Sequence, residues 1–185
     1  MMEFIYRDYI IQLIDEPGIN LDSTLTNAGY EKIYGDKFTR NYTSSKHGIK
    51  LVRNDQPMGS CLVLGSGGTT GIHSTSAILD NDRLILCCGN AVCCISLPEL
   101  TLQWRTYADI ATCFQLFKLQ DDFIVHGELE ISRIDKNGCV KWQFSGSDIF
   151  VSPNGINEIK IESDHILLTD FSQTTYTIDL DGNPY

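Results

Sequence analysis

The stretch that decides the fold is Ile134-Asp-Lys-Asn-Gly-Cys-Val-Lys-Trp-Gln-Phe144. It begins at the end of an apolar strand, turns through Asn137-Gly138, and continues as a short strand that carries Trp142. An Asn-Gly pair tolerates the positive φ angles that a tight hairpin requires. A large ring at a fixed point after such a hairpin fills the space between neighbouring sheets. The stretch therefore predicts a hairpin whose tryptophan packs against another sheet.

Similar passages lie before and after this stretch. Each begins with an aspartate and a short apolar run, and Asp82, Asp122 and Asp164 are separated by 40 and 42 residues. Trp104 and Trp142 are separated by 38 residues. Because two independent markers agree, we infer a structural repeat of about 40 residues. The apolar runs are too short for helices and are typical of buried strands.

The stretch at residues 134–144 resembles the β-propeller repeat of the quinoprotein-like (PQQ-like) group. In that repeat a strand ends in Asp, turns through Gly, and returns to a Trp that docks between blades. Residues 95–104 are similar, with Ser96 in place of the Asp, and residues 178–185 are similar, with Tyr in place of the Trp. The resemblance covers residues 82–185 and implies an all-β fold, a small or partial β-propeller. It implies no activity, because a fold does not determine function, and we predict no cofactor.

We predict one β-repeat domain over residues 1–185. Its first part, residues 1–80, is expected to be an irregular N-terminal blade with loops, followed by the repeat units 81–120, 121–161 and 162–185. This division predicts about three to four blades of antiparallel strands. Four blades are near the lower limit for a closed propeller. An open arc and a ring completed by homodimerisation therefore remain as alternatives.

The overall charge limits the classes of partner. The chain has 24 acidic and 14 basic side chains, and its formal net charge is −10. A field of this sign repels phosphate backbones and anionic membranes, so we predict no nucleic acid and no membrane among the partners. No run approaches the ~20 apolar residues of a membrane helix. Neither does the N-terminus have the pattern of an export signal, so we expect a soluble, cytoplasmic protein.

The seven cysteines first suggest a metal site, and strand geometry argues against it. If Gly89-Asn90 is a hairpin turn, Cys87 and Cys94 lie on one face of the hairpin and Cys88 and Cys93 on the other. Four thiolates in this arrangement do not converge on one ion, and the C-x₂-C spacing of zinc knuckles is absent. We therefore predict buried, reduced thiols and no metal site.

A glycine-rich segment at residues 65–71 follows an apolar strand. It lacks the Gly-Lys-Ser/Thr of a phosphate-binding loop, and the segment from His73 to Leu79 is predicted to be a strand, where a dinucleotide site would need a helix. Glycine permits sharp turns and close backbone approach, so a structural loop is the first interpretation. If a small ligand binds anywhere, we expect it here, at Gly67, Gly68, Thr69, Thr70 and His73.

No set of residues in the sequence forms a recognisable catalytic site, so we predict a protein that is not an enzyme. Glu128 and Glu130 alternate with apolar residues, which predicts that they share the solvent face of one strand and could contact a basic partner. The leading hypothesis is a protein–protein interaction scaffold for a basic partner, such as a stoichiometric inhibitor or immunity-like protein. The alternatives are a small-ligand or carbohydrate-binding module that uses the glycine loop, and a hydrolase whose residues are unassigned.

Overall fold

The computed structural model describes residues 1–21, 29–152 and 158–185. In these residues the chain forms sixteen strands and one short helix, arranged as four sheets. Sheet I has the order β1-β2-β4-β5-β3; sheets II, III and IV are meanders in which consecutive strands pair antiparallel. Sheet I consists of β1 (Met2–Tyr6), β2 (Tyr9–Asp15), β3 (Lys32–Tyr34), β4 (Ser45–Arg53) and β5 (Gln56–Gly65). The helix α1 (Lys37–Asn41) connects β3 to β4.

The other three sheets follow in chain order. Sheet II consists of β6 (Ala77–Asp80), β7 (Arg83–Cys88), β8 (Ala91–Ser96) and β9 (Thr101–Tyr107). Sheet III consists of β10 (Cys113–Leu119), β11 (Asp122–Gly127), β12 (Glu130–Ile134) and β13 (Val140–Ser145). Sheet IV consists of β14 (Ile159–Ile161), β15 (His165–Thr169) and β16 (Thr175–Asp179).

Three buried clusters hold the sheets together, one at each interface between consecutive sheets. Side chains of adjacent residues point to opposite faces of a strand, so sheets II and III supply residues to two clusters each. In β11, Phe123 and Val125 face sheet II, whereas Ile124 between them faces sheet IV. This double burial explains why the middle strands are continuous apolar runs. Four stacked sheets, antiparallel except for the pairing of β3 with β5, make the chain an all-β protein with the architecture of a partial β-propeller.

The predicted docking of tryptophans between sheets is confirmed. Trp104 of β9 packs on the turn at Gly138 in sheet III, and Trp142 of β13 packs on the turn at Gly182 in sheet IV. A Cβ atom on either glycine would lie 2.6 Å from a carbon of the facing indole ring. Both glycines have left-handed φ angles, +84° and +85°, so the turn and the ring approach closely only because the side chain is absent.

The first repeat docks differently because its turn lacks glycine. Leu100 takes the left-handed conformation there, with φ of 52°, and its side chain is buried against sheet I. Tyr34 donates a hydrogen bond to the carbonyl of Leu100 at 2.7 Å, and Tyr6 donates to the carbonyl of Leu97 at 3.2 Å. Tyrosines of sheet I therefore receive the turn of sheet II, as tryptophans do in the later sheets.

The sheets and the sequence repeat differ in phase by one strand. Each sheet begins with the strand before the repeated aspartate, so the unit 81–120 contains β7, β8 and β9 of sheet II and then β10 of sheet III. The reason is that the repeat period in the sequence is the same whichever strand is taken as the first of a unit, so the period alone does not show where a sheet begins. The segment from His73 to Leu79 also differs from its prediction, because residues 73–76 form a turn and the strand begins at Ala77.

The stack has two distinct ends. Turns after β6, β8, β10, β12 and β14 lie at one end, which we name the hairpin end. Turns after β7, β11 and β15 and the connections between sheets lie at the other, the crossover end. At the crossover end, backbone hydrogen bonds link each sheet to the next. In each of them an N–H donates to a carbonyl: Cys113 to Gly89, Glu128 to Thr112, Phe150 to Glu128, and Phe171 to Ile149. None of the described helices is long and apolar enough to span a membrane.

Candidate functional site: the acidic crossover end

The glycine loop at residues 65–71 is packed between sheets at the crossover end. The backbone of Gly67 lies against the carbonyl of Ala111, and the backbone of Gly68 lies against the side chain of Thr112. Neither position therefore has room for a Cβ atom. Thr70 is buried, and its hydroxyl lies 3.2 Å from the carbonyl of Gly89 and 2.9 Å from that of Cys113. The loop thus ties sheet I to the turns of sheets II and III.

The residues predicted for a small ligand are divided by this packing. Gly67, Gly68 and Thr70 make contacts within the fold, whereas Thr69 and His73 are exposed. His73 shares a hydrogen bond with the hydroxyl of Thr75, 3.1 Å from Nδ1. Ligand binding by these residues stays a prediction. Of the five, Thr69 and His73 have exposed side chains that could contact a ligand.

Asp109 organises the acidic part of the crossover end. It lies in the connection between sheets II and III and is buried. Its Oδ1 accepts hydrogen bonds from the backbone N–H groups of Ala111 and Thr112, and its Oδ2 accepts from those of Leu129 and Glu130, both at 2.8 Å. Charge-assisted bonds of this kind are stronger than neutral ones. Asp109 therefore fixes the turn between β11 and β12.

Glu128 and Glu130 are half-exposed beside this fixed turn. The prediction that they share one strand was wrong: Glu128 is in the turn, and β12 begins only at Glu130, because the hairpin reverses direction at residues 128–129. The Thr112 hydroxyl donates to Glu128 Oε2, and the Ser145 hydroxyl donates to Glu130 Oε2, each at 2.9 Å. Both carboxylates are positioned by neutral hydroxyl groups.

Two more carboxylates lie at this end toward sheet IV: Asp148, in the connection after β13, and Asp170, which is buried in the turn after β15. Asp148 accepts a hydrogen bond from the Ser172 hydroxyl at 2.5 Å. Asp170 accepts from the Tyr176 hydroxyl at 2.7 Å and from Ser147 at 3.1 Å. Desolvation by itself would raise the pKa of Asp170, but these hydrogen bonds outweigh it and the pKa is lowered. Asp170 therefore stays ionised at neutral pH.

Charge is segregated between the two ends of sheets III and IV. All five basic side chains in residues 108–185 lie toward the hairpin end, where each pairs with a carboxylate within 4.0 Å: Lys118, Arg133, Lys136, Lys141 and Lys160. The crossover end of the same sheets carries six acidic residues and no Lys or Arg in the described part: Asp109, Glu128, Glu130, Asp148, Glu158 and Asp170. No described Lys or Arg of sheets III and IV therefore pairs with these carboxylates.

Large apolar side chains are exposed on the same end. Ile110, in the connection between sheets II and III, is 76% exposed, and Phe171, in the turn of sheet IV, is 47% exposed. Tyr107 at the end of β9 is 48% exposed, and its hydroxyl donates to Asp36. Apolar groups among charged ones are typical of protein interaction surfaces. We name this surface, formed by Ile110, Glu128, Glu130, Asp148 and Phe171, the acidic face.

The histidines do not assemble a catalytic group in the described residues. His126 is buried, with Nδ1 3.1 Å from Gln115 Oε1 and Nε2 2.9 Å from the Phe150 carbonyl. His47 contacts the Thr70 carbonyl, and His165 contacts Asp164. None of these contacts joins a histidine to both a nucleophile and a carboxylate. Within the same residues, no group of three or more His, Cys, Asp or Glu side chains is arranged for a metal ion.

The predicted geometry of the cysteine hairpin is confirmed. Cys87 pairs with Val92 and Leu86 with Cys93, so Cys87 and Cys94 face sheet III while Cys88 and Cys93 face sheet I. All seven thiols are free, and only Cys139 of the seven is exposed. Burial raises the pKa of the Cys87, Cys88 and Cys113 thiols well above 9.0. These groups are unreactive parts of the core.

Comparison with known proteins adds likenesses of fold. No family model and no curated protein matches the chain. Solved propellers are similar to it. BamB from Moraxella catarrhalis is 14% identical, with a TM-score of 0.47, and the match covers 74% of this chain and 42% of that one. The AfRom2 CNH domain is 11% identical, with a TM-score of 0.49, and the match covers 76% of this chain and 46% of that one. The WD40 β-propeller domain of Doa1 is 13% identical, with a TM-score of 0.41, and the match covers 77% of this chain and 45% of that one.

The chain spans less than half the length of each of these structures. The fold is a partial β-propeller. That conclusion rests on the four stacked sheets and on the docked aromatic rings of the chain itself.

Proposed function

We propose that this chain is a non-catalytic scaffold that binds a protein partner, and that its acidic face docks on a basic surface of that partner. The observation that carries the proposal is the segregation of charge in sheets III and IV, where the basic side chains are paired at the opposite end. Complementary charge raises the rate of encounter and excludes partners of the same sign. Ile110 and Phe171 supply apolar area beside the carboxylates.

The rigidity of the acidic face supports the same proposal. Asp109 fixes the turn that carries Glu128 and Glu130, and the backbone bond from Phe150 to the Glu128 carbonyl joins that turn to the next connection. A surface held in its binding geometry loses little conformational entropy when a partner binds. Within this proposal, a stoichiometric inhibitor or immunity-like protein is the more specific form, and a one-to-one complex is its expected composition.

We also propose a reducing compartment, the cytoplasm, as the location of the protein. Six buried cysteines without a disulfide support it, because thiols at this density persist where the environment keeps them reduced.

The experiment compares the proteins that bind the wild-type chain and two charge-reversed variants in native lysate. The test variant is Glu128→Lys/Glu130→Lys. The matched control is Asp82→Lys/Asp121→Lys, which makes the same charge change at exposed positions of the hairpin end. We expect a one-to-one partner with a basic surface that is released by high salt, is retained by the control, and binds the test variant at least about tenfold more weakly.

The proposal fails if the test variant and the control bind the same partner equally, since charge at the acidic face would then be irrelevant. It fails equally if the partner that depends on Glu128 and Glu130 is a nucleic acid or a membrane, or has an acidic surface.

A further inference from the structure

A small cavity opens at the crossover end beside the acidic face. Its volume is about 210 Å³, and it is lined by His73, Phe114, Gln115, His126, Phe150, Val151 and Glu158. Sites for cofactors and drug-sized ligands usually have volumes of about 300–1,000 Å³. The cavity is therefore too small for such a molecule and has room for a single side chain.

The walls of the cavity are aromatic and rigid. The Phe150 side chain is fully buried in the core, so the accessible ring of the lining is Phe114, which is half-buried and packs edge-on against the His126 ring with 5.7 Å between centroids. His126 is in turn held by Gln115 and by the Phe150 carbonyl. Aromatic faces attract cations, and a planar guanidinium also stacks on them.

One carboxylate lies among these aromatic walls. Glu158 lines the cavity, and its Oε1 accepts a hydrogen bond from the backbone N–H of Ser152 at 2.7 Å. The lining contains no Lys or Arg, and none is present at this end of sheets III and IV in the described residues. An acidic group beside rings in a partly enclosed site favours a cation with an apolar stem.

The cavity is continuous with the acidic face through the backbone. The N–H of Phe150, a residue of the cavity lining, donates to the carbonyl of Glu128, 2.7 Å away. Glu128 and the cavity are therefore neighbours at the crossover end.

We propose that this cavity receives one arginine side chain of the basic partner, with its stem and guanidinium against the half-buried ring of Phe114 and its charge directed to Glu158. The inference rests on the proposed function and names the chemistry of its central contact. Arginine is favoured over lysine because its flat, weakly hydrated head group stacks on rings, whereas an ammonium stays hydrated.

The test uses capped arginine, N-acetyl-arginine-N-methylamide, titrated into the intact protein and followed by NMR. We expect saturable shifts of the Phe114, His126 and Val151 signals, a weaker response to capped lysine, and no saturable response to capped citrulline, which has the same shape without the charge. Glu158→Gln should weaken arginine binding at least about tenfold. Its amide oxygen still accepts the Ser152 N–H, so the fold is retained.

Glu162→Gln is the matched control, because it makes the same change at the hairpin end, where Glu162 pairs with Lys160. It should leave the titration unchanged. Phe114→Leu provides a second variant in the cavity and should also weaken binding. The inference is overturned if capped arginine causes no saturable shift at these residues, or if citrulline binds as well as arginine. Partner capture that still depends on Glu128 and Glu130 would then leave the proposed function intact.

Discussion

At the scale of single residues, buried polar groups at the crossover end join the sheets. Thr70 is the clearest case, because its buried hydroxyl lies within hydrogen-bond distance of two carbonyls from two different sheets. A residue that was predicted to contact a ligand thus makes its main contacts within the fold. Its neighbour Thr69 has the same chemistry but is exposed, which makes the two residues a natural pair for comparison.

Thr70→Val should lower the free energy of unfolding by about 1–3 kcal/mol, because it removes the hydroxyl from buried carbonyls and leaves a methyl group in its place. Thr69→Val should change it by less than about 0.5 kcal/mol, as expected for an exposed site. Urea denaturation monitored by circular dichroism measures both values. Equal effects of the two substitutions would show that the loop does not hold the sheets together.

Two buried histidines predict how stability depends on pH. Burial lowers the pKa of His47 and of His126 below the 6.5 of an unfolded chain. The unfolded state therefore binds protons more readily, and stability must fall as the pH decreases through and below about 6.5. The free energy of unfolding, measured at pH 7.5 and 5.5, should be smaller at the lower pH.

His126→Gln tests the origin of this dependence. The glutamine amide can still donate to the Phe150 carbonyl but does not titrate. The variant should lose less stability than the wild type between pH 7.5 and 5.5. The same loss in both proteins would assign the dependence to groups other than His126.

At the scale of elements, the unit of assembly is a turn from one sheet docked on an aromatic ring of the sheet before it. Asp135 and Asp179 shape two of these turns in the same way, each accepting backbone N–H groups with its Oδ1. Trp142 also donates its indole N–H to the Leu180 carbonyl at 3.0 Å. At Trp142 the contact combines packing with a hydrogen bond, whereas the buried indole N–H of Trp104 has no hydrogen-bond partner among the described residues. The packing of a ring on a turn is the feature that repeats along the stack.

Gly138→Ala should disrupt one such contact. The left-handed conformation costs a residue with a Cβ atom roughly 1–2 kcal/mol, and the new atom would also press on Trp104. We expect a total loss of at least about 2 kcal/mol of unfolding free energy and a red shift of tryptophan fluorescence. Gly71→Ala is the control, since nothing lies within 4 Å of its Cβ position. Similar stabilities of the two variants would contradict the docking of this turn.

At the scale of the whole molecule, the stack has two outer faces. On sheet I, register places Ile5 beside Ile10 and Ile10 beside Val52, and Ile5 is 80% exposed. On sheet IV, Leu167 lies between Lys160 and Thr177 and is 37% exposed. Completion of the ring by a second copy of the chain stays a prediction, and sedimentation velocity would distinguish a 20.8 kDa monomer from a dimer.

The cysteines report on opening of the whole stack. Six are buried in clusters between sheets I, II and III, and Cys139 is exposed. Under native conditions a thiol reagent such as dithionitrobenzoate should modify one thiol per chain quickly, and Cys139→Ser should abolish that phase. The other six should react only at the rate of unfolding, because burial prevents both ionisation and access. Rapid reaction of more than one thiol would show that an interface between sheets opens without unfolding.

The sequence by itself determined the repeat, the strands of residues 82–185, the docking of the tryptophans and the two faces of the cysteine hairpin. Each of these depends on local spacing: period-two alternation, a turn that needs glycine, and an aromatic ring at a fixed distance from it. Glu128 and Glu130 were also found from the sequence, although their shared strand was not, because the exact position of a turn depends on the partner strand.

Only the tertiary structure decided the arrangement of sheet I, in which β3 joins by a parallel pairing with β5. It also decided the end of the stack to which each charged side chain belongs. Lys118 and Glu128 are close in sequence but lie at opposite ends, because each strand reverses the direction of the chain. The acidic face and the cavity beside it combine Glu128, from the turn between β11 and β12, with Asp148 and Glu158, from the connection between β13 and β14. Such convergence is set by how sheets stack, and no local pattern in the sequence encodes it.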